Sequence, residues 1–183
     1  MKLTEIEDLI RKATLEILGL PDNSTTKKRI RMSWPTDGAP SWKINEDVAF
    51  IRVYEIDDLY NRQKVTVYSE NDSESLTQIE AYTRVIAVDW IMYGPNSFDD
   101  ADTVRNGLTR NETLRNCGMY LVFDRPAPTR IPELFNGQWW ERTNLTAYFN
   151  LLVSREYIMP TISAAQVILK TEKGDVNIVN TTP

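Results

Sequence analysis

An alternation near the carboxyl-terminal third constrains the fold most. In RTNLTAYFNLLV (residues 142 to 153), Leu145, Ala147, Phe149, Leu151 and Val153 fall on one side, and Arg142, Asn144, Thr146, Tyr148 and Asn150 on the other. A period of two belongs to a strand, because successive side chains point to opposite faces. One dry and one wet side predict an antiparallel sheet packed on one face. The run from Ile79 to Tyr93 is apolar on both sides, Ile86, Val88, Trp90 and Met92 standing opposite Val85, Ala87 and Ile91, so it reads as a central strand. DVAFIRVYEI (47 to 56) and RQKVTVYSE (62 to 70) also alternate, with DDLYN between them as a hairpin connection. MYLVF (119 to 123) is a further strand, and SAAQVILKT and DVNIVN, joined by EKGD, form a terminal hairpin.

Helical spacing occurs at the amino terminus, where TEIEDLIRKATLEILG sets Ile6, Leu9, Ile10, Ala13, Ile17 and Leu18 on one side, with Thr4 as cap and Gly19 with Pro21 as stop. A second, short helix is expected in GPNSFDDADTVRNGL (94 to 108). Two helices packed on one mostly antiparallel sheet, an α+β fold, is the economical architecture. The 183 residues predict a single domain over 1–183, with an extended loop or arm at about 21–47, rich in Pro, Ser, Thr, Asp and Gly, and a C-terminal β-hairpin at about 163–180.

Composition removes several chemistries. The chain has no histidine, which excludes Ser-His-Asp and Cys-His nucleophile systems and the usual zinc ligand sets. Its one cysteine, Cys117, has no internal disulfide partner. A net charge of −5 argues against sequence-independent binding of nucleic acid by the whole surface. Acids interrupt the amino-terminal segment, so neither export nor a membrane anchor is expected. The seven glycines form no phosphate-binding loop, and no cofactor is expected.

The acids of 94 to 108 admit two readings. As a helix start, Ser97 accepts from the backbone three residues on, Asp100 takes the capping-box position, and Asp99, Asp100 and Asp102 face the exposed N–H groups of the first turn. Phe98, Ala101, Val104 or Arg105, and Leu108 then form the inward stripe. As a magnesium site for phosphoryl transfer, Asp89, Asp99 and Asp100 would be the ligands, Asp57 and Asp58 being further candidates. Acids within one helical turn point in different directions, which favours the first reading. Asp89, on an apolar strand, needs a partner such as Arg84, Arg105 or Arg142.

The order SWPTDGAPSW, RVIAVDWIMYGPNSFDDADTVRNGL and LFNGQWWERTNLTAYFNLLVSREY, after an amphipathic helix, resembles the neck or tail terminator proteins of tailed bacteriophages over roughly residues 30 to 160. The resemblance implies a tail-terminator-like fold and a virion protein without enzymatic activity, assembled in the host cytoplasm. It implies a ring, usually a hexamer, that caps the tail tube, contacts the tube protein and a head-completion or connector protein, and lets DNA pass through its lumen. It also implies that Asp99, Asp100 and Asp102 start a helix lying on the sheet, and that Trp139 and Trp140 open the strand that crosses it. Candidate subunit-interface residues are Lys27, Lys28, Arg29 and Arg31, clustered in KKRIRM; Trp34 and Trp42, which also read as pins for the loop; and Trp140, Arg142 and Tyr148. A third reading is a small module that presents Trp139 and Trp140 to a carbohydrate or peptide.

Overall fold

Two faces with different chemistry follow from how the strands pair. The computed structural model describes residues 1–34, 41–70, 75–122, 127–160, 165–170 and 176–181. In chain order the elements are α1 (Leu3–Ile17), α2 (Thr26–Arg29), β1 (Ile30–Met32), β2 (Val48–Ile56), a 3-10 turn (Leu59–Arg62), β3 (Lys64–Glu70) and β4 (Ser75–Tyr93). There follow α3 (Ser97–Gly107), α4 (Glu112–Asn116), β5 (Met119–Leu121), β6 (Thr129–Arg130), β7 (Glu133–Phe135), β8 (Gln138–Trp140), β9 (Arg142–Pro160), β10 (Ala165–Lys170) and β11 (Val176–Thr181). The main sheet runs β1-β2-β4-β9-β5, with β3 on β4 and β6 on β9; β7–β8 and β10–β11 are separate pairs. The fold is α+β and mostly antiparallel, and the sheet stays open; β1 is the parallel exception beside β2. The chain divides into two compact units, Met1–Arg62 with Thr83–Val153, and Gln63–Tyr82 with Ser154–Pro183.

In the first unit the central place of β4 follows from its two apolar sides. Ile86, Val88, Trp90 and Met92 of β4 pack with Ala49, Ile51 and Val53 of β2, and with Leu145, Ala147, Phe149 and Leu151 of β9. Onto this face α1 brings Ile6, Leu9, Ile10, Ala13 and Leu15, and α3 brings Ala101, Val104 and Leu108. Each fully buried Val, Leu, Ile, Phe or Met among them contributes about 1.5 to 3 kcal/mol. One polar link lies inside: buried Thr14 donates to the Ile10 carbonyl at 2.7 Å and accepts from the Trp90 indole at 3.0 Å. Close approach explains Gly107, where an added Cβ would collide with the Ile17 side chain.

Several expectations are corrected. α1 starts one residue before Thr4, and Glu5 accepts from the Lys2 backbone N–H at 2.7 Å where Thr4 was expected to cap. β2 and β3 do not form a hairpin: β2 pairs with Val85–Tyr93 and β3 with Leu76–Tyr82. The physical reason is the length of β4, whose 19 residues offer a pairing edge to both strands. The five-residue α4 is too short to show a helical period; its start is set by Asn111, whose side chain accepts from the Leu114 N–H at 2.9 Å. Trp139 and Trp140 do not open β9, because they form β8 and pair with Leu134 and Glu133 of β7. The turn between those strands is Asn136-Gly137, both at positive φ (50° and 74°), which such a tight connection requires.

Within 21 to 47, α2 and β1 belong to the first unit, Thr26 and Ile30 being buried. In the second unit β3 pairs from Lys64 with Tyr82 to Glu70 with Leu76, and leaves Val65, Val67 and Tyr68 exposed. β10 and β11 pair from Ala165 with Thr181 to Lys170 with Val176; the EKGD turn expected there lies outside the described residues.

Candidate subunit interface

The acidic turn starts a helix, though by other contacts than those expected. The Ser97 hydroxyl is buried and lies 3.2 Å from Thr143 Oγ1, so it caps nothing; Asn96 is the residue at the cap position, and its amide donates to Asp47 at 2.9 Å. Asp100 accepts from Arg29 at 2.6 Å, which takes it away from the capping-box role. Phe98 is 47% exposed and drops out of the inward stripe, since a helix beginning at Ser97 turns Ala101, Val104 and Leu108 inward and Phe98 out. Asp89 is partnered by a hydroxyl, not an arginine: Thr146 donates to it at 2.8 Å across the β4–β9 pair. The three arginines have other carboxylates nearby, Arg84 with Glu55 at 2.6 Å, Arg142 with Glu133, and Arg105 with Asp102 at 3.8 Å. Among the described residues no three Asp, Glu or Cys side chains are placed to hold a metal ion.

The cations of KKRIRM separate. Lys27 and Lys28 are exposed, and Arg29 holds α3 through Asp100. Arg31 donates to the Lys28 carbonyl and lies over the rings of Trp42 (6.0 Å) and Phe50 (5.8 Å). Burial pulls its guanidinium below the usual arginine range, and the charge of Glu46 opposes that shift.

Arg31 points to the second face of the sheet, the one turned away from the core. Trp42 is its centre, with ring centroids 5.0 Å from Phe50, 5.4 Å from Tyr93 and 6.0 Å from Trp140; Phe135 extends the group, 6.2 Å from Trp140. The Tyr93 hydroxyl donates to Glu133 at 3.0 Å, and Glu133 also accepts from Arg142, whose guanidinium lies 6.0 Å from the Tyr93 ring. Burial pushes the Tyr93 phenol above its ordinary range; the Arg142 charge works against this and the bond to Glu133 with it. Between Ser41, Trp42, Tyr93, Glu133, Phe135 and Trp140 lies a cleft of about 310 Å³. The indole nitrogens of Trp42 and Trp140 are buried, with no hydrogen-bond partner among the described residues.

A family model for the phage neck terminator protein matches residues 4–180. The chain belongs to that family. No curated protein matches it. A neck terminator is a structural component of the virion, and no helix among the described residues is long and apolar enough to cross a membrane.

On this neck terminator, four of the nine candidate interface residues (Arg31, Trp42, Trp140 and Arg142) meet in one cluster. Trp34 is not a pin: it is 76% exposed, with Arg52 stacked 5.2 Å from its ring. Its backbone is at φ 63°, a conformation that turns the chain sharply there. Tyr148 lines a different hollow of about 510 Å³, with Val85, Val122 and Asn150. Of the adjacent tryptophans, Trp139 turns outward and Trp140 inward. Sequence reasoning missed Phe50, Tyr93, Phe135 and Glu133. Phe50 alternates with Arg52 along β2, and an aromatic ring at such a position was the available signal; Tyr93, at the end of a strand apolar on both sides, gave none. The cluster offers stacking and cation–π contacts of about 0.5 to 1.5 kcal/mol each.

Proposed function

We propose that this neck terminator works by association with copies of itself, closing into a ring, a hexamer as the resemblance implies, that caps the tail tube and joins it to the head connector. Tube protein below and head-completion or connector protein above are its axial partners, and DNA crosses the lumen without specific binding. The reading includes no catalysis and no cofactor, and places assembly in the host cytoplasm. In it the whole chain acts as one domain, the segment 21–47 and the terminal hairpin near 163–180 lying at contacts.

The observation that supports this best is the second face of the sheet. It carries Trp42, Tyr93, Trp140, Arg31 and Arg142 on the surface of a family member, and Trp, Tyr and Arg are the residue types that carry most binding energy at protein interfaces. An acidic chain also suits a conduit for phosphates, as like charge keeps the wall from holding them. Sedimentation velocity with negative-stain electron microscopy tests the proposal: closed rings, in solution or on tube ends, are expected. A monomer at every concentration, including in the presence of tail tubes, would sink it.

A further inference from the structure

The chain matches nearly all of its described arginines internally. Seven of them meet a carboxylate, Arg31 and Arg52 lie over aromatic rings, and Arg155 is hydrogen-bonded to Tyr157 and Tyr82. Arg110 and Arg115 have no carboxylate partner among the described residues, and both line one hollow of about 410 Å³ beside α4 and β5. Two unmatched cations at one place are notable in a chain of net charge −5.

Local structure brings them together. After α3 the Arg110 backbone N–H donates to the Gly107 carbonyl at 3.0 Å and turns the chain, and α4 then carries Arg115 in its last turn. The Arg115 guanidinium donates to the Thr109 carbonyl at 2.9 Å, which steadies it beside the hollow and leaves most of its donors unused. Arg110, Arg115 and Tyr120 are exposed and Leu121 is half-buried, so an entering group meets all four directly. The deeper walls are Leu114, Met119 and Phe149.

Guanidinium groups hold the paired oxygens of a carboxylate or a phosphate. Nucleic acid draws its affinity from many phosphates neutralised along a cationic track, and only these two cations line the hollow. A protein segment fits better, because its acid side chains have apolar neighbours that match Leu121 and the Tyr120 ring. We propose that the hollow docks an acidic segment of a partner protein, one Asp or Glu carboxylate being held by Arg110 and Arg115 while an adjacent apolar side chain lies against Tyr120 and Leu121. The site shares no residue with the cleft around Trp42.

A fluorescein-labelled peptide, Gly-Glu-Leu-Glu-Leu-Glu-Gly, titrated into the full chain at low ionic strength and followed by anisotropy, tests this whether or not copies of the chain associate. Saturable binding is expected, weakened about tenfold or more by Arg110→Gln with Arg115→Gln, and equally by glutamine in place of the peptide's glutamates. Lys27→Gln with Lys28→Gln removes the same charge from exposed side chains elsewhere and should change binding less than about twofold. Since the Arg110 side chain has no partner to lose, Arg110→Gln alone should keep the wild-type unfolding midpoint and still weaken binding about threefold or more. No saturable binding, equal loss in the two double variants, or indifference to glutamine in the peptide overturns the proposal. Tighter binding of a short oligothymidine than of the peptide, lost in Arg110→Gln with Arg115→Gln, also overturns it and assigns the hollow to nucleic acid.

Discussion

The two faces of the main sheet in the first unit come from the same strands and have opposite chemistry. On one, residues such as Ile51, Val88, Trp90 and Phe149 are almost wholly excluded from solvent, and the one indole N–H among them is satisfied by Thr14. On the other, Phe50, Tyr93 and Trp140 stay half-buried, arginines lie over or beside the rings, and two indole N–H groups have no acceptor among the described residues. The same residue type, tryptophan, is thus finished within the chain on one side and left unfinished on the other. Folding explains the first face. The second resembles the centre of an interface more than a core.

Replacement of Trp90 by alanine should give the largest effect, about 3 to 5 kcal/mol of stability, through the cavity left and the lost partner of Thr14. Urea unfolding measures it, and a loss under 1 kcal/mol would break the contrast between the faces. Next is the link between α2 and α3. Asp100→Asn should cost about 1 kcal/mol and Asp99→Asn less, because Asp100 meets Arg29 in a partly buried pair while Asp99 is exposed and interacts only with the helix start. Equal losses would return both acids to one role.

Alkaline pH should sharpen the comparison from the other side. The Tyr93 phenol is raised above its ordinary 10.0, so the fold favours its neutral form. That contribution is whole below the unfolded value and is lost as pH rises through the folded one. Stability should therefore fall above pH 10 and fall less in Tyr93→Phe; identical profiles would remove the assignment. The smallest change is expected for Trp34→Ala, within about 0.5 kcal/mol in the isolated chain, as its ring is mostly in solvent. A clear loss of stability there would show that the second face is also part of the core.

Much of the first face was legible because burial leaves a period. Leu145 to Leu151 and Ile86 to Met92 lie where their alternation puts them, and α1 follows its apolar stripe. The second face was harder, since its cluster is assembled from β2, β4, β8 and the segment before Val48, and no periodicity links Trp42 to Trp140. The β7–β8 hairpin could have been found from Asn136-Gly137, a strong turn signal that was hidden beside the eye-catching tryptophans. Asp100 was legible as an acid at a helix start, but Arg29 lies 71 residues earlier, and a pair at that separation has no local signature. The same holds for Thr146 beside Asp89, where an arginine was expected because charge is easier to read than a hydroxyl on the neighbouring strand.

The placement of β9 between β4 and β5 has a consequence for biosynthesis. β5 leaves the ribosome before β9, its one pairing partner among the described residues, and the middle of the sheet has an open edge until residues near 151 have emerged. A nascent or prematurely terminated chain therefore cannot present a finished aromatic surface, because Arg142 and the strand behind Trp140 belong to that late segment. Synthesis has to pass residue 151 before either face of this sheet can be finished.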